Sequence, residues 1–278
     1  MKVIQASGGW SPTAINWSRS NRVPAAPRRT ARAAVGGRLR GGALRLSVIL
    51  AAVFATTVSC APADTAAGGS VDGGLRLVVG SFNIHYVAPR QDRLNWEDRR
   101  ESVTAMLEDA APDLMGFQEM ETFEGGSYNE ENRQLDWIAE HFPAYAFAAV
   151  GDVREYPSTQ PIMYRRDRLD ALAQGFFFFS PTPEEIYSRS WDGGFPAFAS
   201  WVRFRDRRNH RTFYVYNVHL DHSSRGNRVK AAQLVKERIA TRSHKGDGVI
   251  VLGDFNAPWF FRPVRIVSEA GLEIADTT

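Results

Sequence analysis

The chain has 278 residues, 44% hydrophobic and 12% aromatic, a composition that excludes wholesale disorder. Its formal charge of +3 averages two unlike parts: residues 1–60 hold nine Lys and Arg and no carboxylate, leaving 25 basic against 31 acidic residues beyond, a net of −6. So acidic a body excludes indiscriminate binding to a phosphate backbone, which needs clustered cations, and the single cysteine excludes a disulfide framework or a thiolate metal cluster.

Residues 46–58 (LSVILAAVFATTV) are uncharged, mostly apolar and preceded by Arg38, Arg40 and Arg45. They are too short for a comfortable transmembrane helix, which needs about 20 apolar residues. A cationic flank, a short apolar run and small residues before a cut site describe a secretory signal. Thr57, Val58, Ser59 and Cys60 resemble a bacterial lipobox, with Thr57 where leucine is usual. That resemblance implies cleavage before Cys60, acylation of Cys60, and a lipid-anchored, extracytoplasmic place in the bacterial cell envelope. An ordinary signal cut nearby is the competing reading. Residues 61–74 (APADTAAGGSVDGG) form a small-residue tether, and the division is a leader over 1–60, the tether, and one domain over 75–278. The leader's first 34 residues are long for a signal, so one reading starts translation near Val35.

In the body, 75–84 (LRLVVGSFNI) is β-branched and predicts a buried strand. An amphipathic helix follows over 96–107, closed before Pro112, then a short apolar run over 114–119 that ends in a carboxylate. A helix over 133–141 leads to a strand over 145–150. Strand-like runs at 160–164, 172–179, 198–204 and 212–220 come without intervening helices, the pattern of antiparallel pairing. Residues 176–179, four phenylalanines, face both sides of such a strand and read as sheet core. A helix over 225–242 and a last buried strand over 249–254 close the series. Strands and helices mix without strict alternation, which favours two stacked mixed sheets covered by helices.

Polar residues recur where the apolar strands end: Asn83, Glu119, Asn217 with His219, and Asp254 with Asn256. Strand ends are rigid platforms from which side chains can converge. Two carboxylates, three carboxamides and a histidine, without thiolates, suit a hard cation such as Mg²⁺ or Mn²⁺, which keeps several waters. Such a set fits hydrolysis of a phosphate ester: the cation polarises a phosphoryl oxygen and a histidine donates to developing charge.

The strings SFNIHY, GFQEM, PIMYRRDRL, YVYNVHLDH and VIVLGDFNA, in this order over 75–276, resemble the motifs of the endonuclease/exonuclease/phosphatase superfamily. WEDRRESV, SWDGGFP and HLDH are most similar to a bacterial branch grouped with deadenylase-type 3′–5′ exonucleases. The resemblance implies an α+β fold, the four-layer α/β/β/α sandwich of deoxyribonuclease I, here lacking its C-terminal strands. It implies that Glu119 binds the metal with Asn83 beside it, that Asn217 and His219 hold the scissile phosphate, and that Asp254 orients or deprotonates the attacking water, with Asn256 stabilising the phosphoryl oxygens.

His85, Tyr164 and His222 are further substrate-binding candidates, with Asp221 in the same HLDH string. Arg165, Arg166 and Arg168 read as a solvated turn at least as well as a pocket wall, and His141, His210 and His244 as ordinary surface residues. Relatives carry an arginine where Ala197 stands, and they continue into a closing Ser-Asp-His motif that is absent before Thr278. The expectations are therefore a fragment of an exported metal-dependent phosphoesterase or, alternatively, an inactive surface-tethered binding module or a nuclease. The partners expected are a phosphate-ester substrate and a lipid membrane, with no stable nucleic-acid partner, for a monomer.

Overall fold

The computed structural model describes residues 2–5, 56–60, 75–88, 95–120, 131–189 and 191–275. Two sheets are stacked face to face. The first contains, in spatial order, β11 (Glu273–Ala275), β1 (Lys2–Gln5), β10 (Gly248–Asp254), β9 (Thr212–His219), β8 (Phe198–Asp206) and β7 (Leu169–Phe178). The second runs β2 (Thr56–Cys60), β3 (Leu75–Asn83), β4 (Leu114–Gln118), β6 (Ile162–Arg165) and β5 (Tyr145–Ala148). Each is mixed: β10 lies parallel to β9 while β8 is antiparallel to it, and β3 lies parallel to β4 while β6 is antiparallel.

The inner faces meet through Leu77, Val79, Leu114, Val202, Phe213, Val215, Ile250 and Leu252, all essentially inaccessible to water. Burying each such side chain contributes about 1.5–3 kcal/mol. The outer face of the second sheet is covered by α1 (Trp96–Ala110) and α2 (Arg133–His141), which bury Trp96, Leu107 and Ile138 on Met115 and Phe117. The outer face of the first is covered by α3 (Arg225–Arg242) and α4 (Arg262–Ser268), through Val235, Ile239, Val264 and Val267. The result is the expected four-layer α/β/β/α sandwich.

Local chemistry explains the boundaries. Asn95 caps α1 by accepting from the Glu97 amide, and the helix ends at Ala111, in left-handed conformation with φ of 38°, ahead of Pro112. Ser224 caps α3 through the Asn227 amide. The tetraphenylalanine stretch divides as its period requires: Phe177 and Phe179 enter the helix-covered core and stack edge-on 5.9 Å apart, while Phe176 and Phe178 turn the other way.

Several features differ from the sequence reading. The helix α4 has only seven residues with Pro263 in its first turn, too few for a period to register. Arg168 does not belong to a solvated turn: it is buried, donates to the Arg76 carbonyl at 2.9 Å, and pairs with fully buried Asp206 at 2.9 Å. Arg165, by contrast, is part exposed and pairs with Asp167. Two short strands come from the stretch read as a leader. Lys2–Gln5 lies parallel between β10 and β11, and Thr56–Cys60 pairs antiparallel with β3, Cys60 opposite Leu75. The tether and residues 6–55, with most of the apolar run, lie outside the described residues. Among the described residues no helix is long and apolar enough to cross a membrane.

Candidate active site

Four strands deliver polar side chains to one end of the sandwich. In the second sheet Asn83 ends β3 opposite Gln118 of β4, so Glu119 follows directly beside it. In the first, Asp254 ends β10 opposite His219, the last residue of β9. The two pairs meet across the sheets: the Asn83 amide donates to Glu119 Oε1 at 2.8 Å and to Asp254 Oδ2 at 3.0 Å. His219 Nε2 stands 3.7 Å from Glu119 Oε1, and His85 Nδ1 stands 3.3 Å from Glu119 Oε2. Asp254 Oδ1 accepts the Asn256 amide at 2.8 Å, and the Asn256 side chain donates to the Leu220 carbonyl at 2.8 Å.

Glycine makes this convergence sterically possible at two points. At Gly253, with φ of 136°, a β-carbon would fall 1.9 Å from the Val218 carbonyl oxygen of the neighbouring strand. At Gly116, inside GFQE, it would fall 2.1 Å from Leu252 of the facing sheet. Three of the eight left-handed non-glycine residues among the described residues fall here. Among the described residues, the non-glycine positions with positive φ include His85 at 58°, Glu119 at 57° and Asn256 at 46°. Left-handed conformations are costly for side chains with a β-carbon and tend to persist where a site over-determines them.

Electrostatics separates the two carboxylates. Burial would raise Glu119, but the hydrogen bond with His85, the charge of His219 and the Asn83 amide outweigh it and hold the group at about 2. Asp254, with only 2% of its surface exposed, is pushed above the ordinary carboxylate range by burial, against the opposing pull of His219 and its hydrogen bonds. Glu119 keeps a quarter of its side chain accessible. It is therefore an ionised oxygen donor that solvent can reach.

Asn217 occupies a different place from its neighbours. It is fully buried, accepts from Gln118 Nε2 at 2.6 Å and donates to the Phe117 carbonyl at 2.7 Å, thereby bolting the two sheets together behind the site. Its side chain is spent on protein groups, and what it positions is the strand leading to Glu119. Tyr164 does not join the site: it pairs with Leu114 at the far end of β4, roughly 16 Å along the strand from Glu119, and packs edge-on against Phe204. Ala197 lies just before β8 at the site's end of the sheet, but it is fully buried in the helix-covered core and offers no group to the site. His222 is exposed at the rim, against Phe195.

The sequence reading missed the supporting residues. Arg99 of α1 donates to the carbonyls of Ile84, His85 and Tyr86, and Gln134 of α2 donates to the His85 carbonyl at 2.7 Å. Burial lowers the Arg99 guanidinium to about 10, with Glu119 opposing the shift. Gln160 ties the loop before β6 to the carbonyls of Phe198 and Asn217. Only the WEDRR string hinted at Arg99, and nothing in composition or period marks the glutamines.

The profile of the endonuclease/exonuclease/phosphatase family matches residues 80–276. The chain belongs to that family. A solved endonuclease/exonuclease/phosphatase family protein from Bacteroides thetaiotaomicron is 28% identical and superposes with a TM-score of 0.58, over 69% of this chain and 68% of that one. A mannosyl-6-phosphatase from the same species is also 28% identical, with a TM-score of 0.58 over 69% and 70% of the two chains. An uncharacterised protein of Acanthamoeba polyphaga mimivirus is 25% identical over 166 residues, 58% of this chain and 59% of its own length. Members of this family hydrolyse phosphate esters, and the four-layer sandwich is the architecture expected of them.

Among the described residues no group of three or more His, Cys, Asp or Glu could hold a metal ion. A hard cation that keeps most of its waters needs only one or two carboxylates. Ionised, accessible Glu119 fits that modest demand, while Asn83 turns its amide nitrogen to both carboxylates and its oxygen to the His85 amide, and so orients Glu119.

Proposed function

We propose that this family member is an exported phosphoric ester hydrolase dependent on Mg²⁺ or Mn²⁺, held at the membrane by acylated Cys60. The observation that carries the hydrolase reading is the convergence at the strand ends of Asn83, Glu119 and Asp254, joined by hydrogen bonds, with His219 in ion-pair range of Glu119. Glu119, oriented by the Asn83 amide, would hold the cation, whose chemistry when bound is to polarise a phosphoryl oxygen and offset its developing charge.

The chain's own groups supply the rest. Asp254, fixed by the Asn256 amide and by Asn83, accepts a proton from the attacking water as its oxygen bonds to phosphorus. The ester P–O bond breaks, and the departing alkoxide takes a proton from solvent water and leaves as the alcohol, while Asp254 returns its proton to solvent. His219, held beside Glu119, donates to a phosphoryl oxygen as charge builds there. Asn256 aligns Asp254 through its backbone, and Asn217 keeps both strands in register from behind. The mannosyl-6-phosphatase at 28% identity favours a phosphomonoester over a nucleic acid, and the acidic body points the same way.

The test is phosphate release from a panel of sugar phosphates, glycerol phosphate, a diester and single-stranded DNA, with Mg²⁺ or Mn²⁺ and then with a chelator. Release from a monoester that stops on chelation is expected. Cleavage of DNA alone would favour a nuclease, and binding without hydrolysis of any ester would mark a binding module.

Export rests on the cationic flank, the apolar run and the placement of the sole cysteine, and cleavage before Cys60 would take away β1 and all of β2 but its last residue. In a bacterial host the chain should fractionate with membranes and incorporate labelled palmitate, and Cys60→Ala should abolish both. Unchanged fractionation of that variant would count against the anchor.

A further inference from the structure

We infer that Phe195 and His222 form the subsite that receives the leaving group of the ester, and that this group is a sugar ring. The inference rests on the hydrolase reading and adds to it a substrate class and two residues. The two rings are nearly parallel, 13° apart, with centroids 5.9 Å apart. That distance is too long for face-to-face overlap, so the rings are displaced sideways and extend one another's surface. Phe195 is half-buried and His222 exposed. The Phe195 centroid is 5.4 Å from that of His219, so this shelf begins one ring away from the imidazole assigned to the phosphoryl group.

The shelf is built rather than incidental, because a buried carboxylate fixes both of its halves. Asp221 is fully buried; its Oδ2 accepts the Gly194 amide at 2.7 Å, and its Oδ1 accepts the Ser223 and Ser224 amides at 2.8 and 2.7 Å. One side chain thus clamps the loop carrying Phe195 to the turn carrying His222. Ser224 adds a second tie through its hydroxyl to Asp192 Oδ2 at 2.7 Å.

The chemistry around the shelf selects the ligand. The loop over 191–196 (WDGGFP) holds one carboxylate of its own, and the Lys230 ammonium lies over its Trp191 ring, 5.4 Å from the centroid. Arg228, at the same turn, donates through Nη1 to the carbonyls of Asp221 and His222. A chain of further phosphates would meet Asp192 there, whereas a neutral sugar lays its C–H face on the rings and offers hydroxyls to the carboxylate. Asp221 acts through the loop and is a positioning residue.

The experiment compares kcat/KM for mannose 6-phosphate, glycerol 3-phosphate and AMP in wild type, Phe195→Ala, Phe195→Tyr and Asp221→Asn. Wild type should prefer the hexose phosphate. Phe195→Ala should reduce the hexose-to-glycerol preference about tenfold, chiefly through KM, as loss of a ring contact implies. Asp221→Asn should shift the preference the same way, and Phe195→Tyr should retain it. A preference for AMP or glycerol phosphate, or a ratio unchanged in Phe195→Ala, overturns the subsite while leaving the hydrolase reading intact. If no ester is hydrolysed, calorimetric binding of mannose 6-phosphate decides: weaker binding by Phe195→Ala sustains the shelf, and equal or absent binding rejects it.

Discussion

Glu119 and Asp254 share Asn83 as a hydrogen-bond donor, yet their surroundings drive them in opposite directions. Glu119 is held at about 2 by His85, His219 and Asn83 against its own burial, whereas Asp254 is raised by burial. An oxygen donor for a cation must be ionised and reachable, which suits the first. Glu119→Gln keeps the shape and removes the charge; the Mg²⁺ concentration needed for half-maximal activity should rise tenfold or more, with the melting temperature shifted by no more than about 4 °C. A magnesium titration of hydrolysis checks this, and an unchanged midpoint would refute the assignment. The buried pair of Arg168 and Asp206 tests a structural claim instead. Arg168→Ala strands a buried carboxylate and should cost about 3–5 kcal/mol in urea unfolding. The cluster's members were legible in the sequence because each ends an apolar strand. Asn217 was legible as a strand-end polar residue, but its burial was not, because sequence does not reveal that Gln118 of the opposite sheet meets it. Tyr164 misled because PIMYRRDRL places it in a motif without saying which end of β6 faces the site.

Elements matter here through where they stop. The strands β3, β4, β9 and β10 all end at the same edge of the sandwich, and left-handed residues follow three of them: His85 after β3, Glu119 after β4 and Asn256 after β10. Gly253, the last residue but one of β10, passes the Val218 carbonyl too closely for any side chain. Gly253→Ala should therefore separate β10 from β9, lower stability by more than the roughly 1 kcal/mol that Gly-to-Ala backbone effects usually involve, and reduce hydrolysis by displacing Asp254. Chemical denaturation and kcat together check it; a variant as stable and active as wild type would show that the strands can part without consequence. Most elements were legible, with ends displaced by a few residues, since β-branched runs and capped helices announce themselves. The helices α2 and α3 match their expected bounds because Asn132 and Ser224 cap them. What escaped were α4 and β11, with seven and three residues, too brief for periodicity, and β1, whose place between β10 and β11 is fixed by pairing rather than by local pattern.

The whole molecule joins an acidic domain to a basic N-terminal stretch, and the overall charge of +3 describes neither. A domain of net −6 offers the proposed phosphate ester little long-range attraction. Attraction for the substrate must then be local, from a bound cation at Glu119, the His219 imidazole and the aromatic shelf at Phe195. The fold class was legible from the mixture of strands and helices, and the family from five ordered strings. The loop that shapes the leaving-group pocket was not, because Asp221 and Gly194 are 27 residues apart and meet only in the folded chain. Whether this cluster performs metal-assisted hydrolysis is measured most directly as Mg²⁺-dependent phosphate release by wild type beside Asp254→Ala. Wild type should release phosphate only while the cation is present, and Asp254→Ala, folded by circular dichroism, should be slower by about a thousandfold or more. Equal rates in the two proteins, or release unaffected by chelation, would contradict the account.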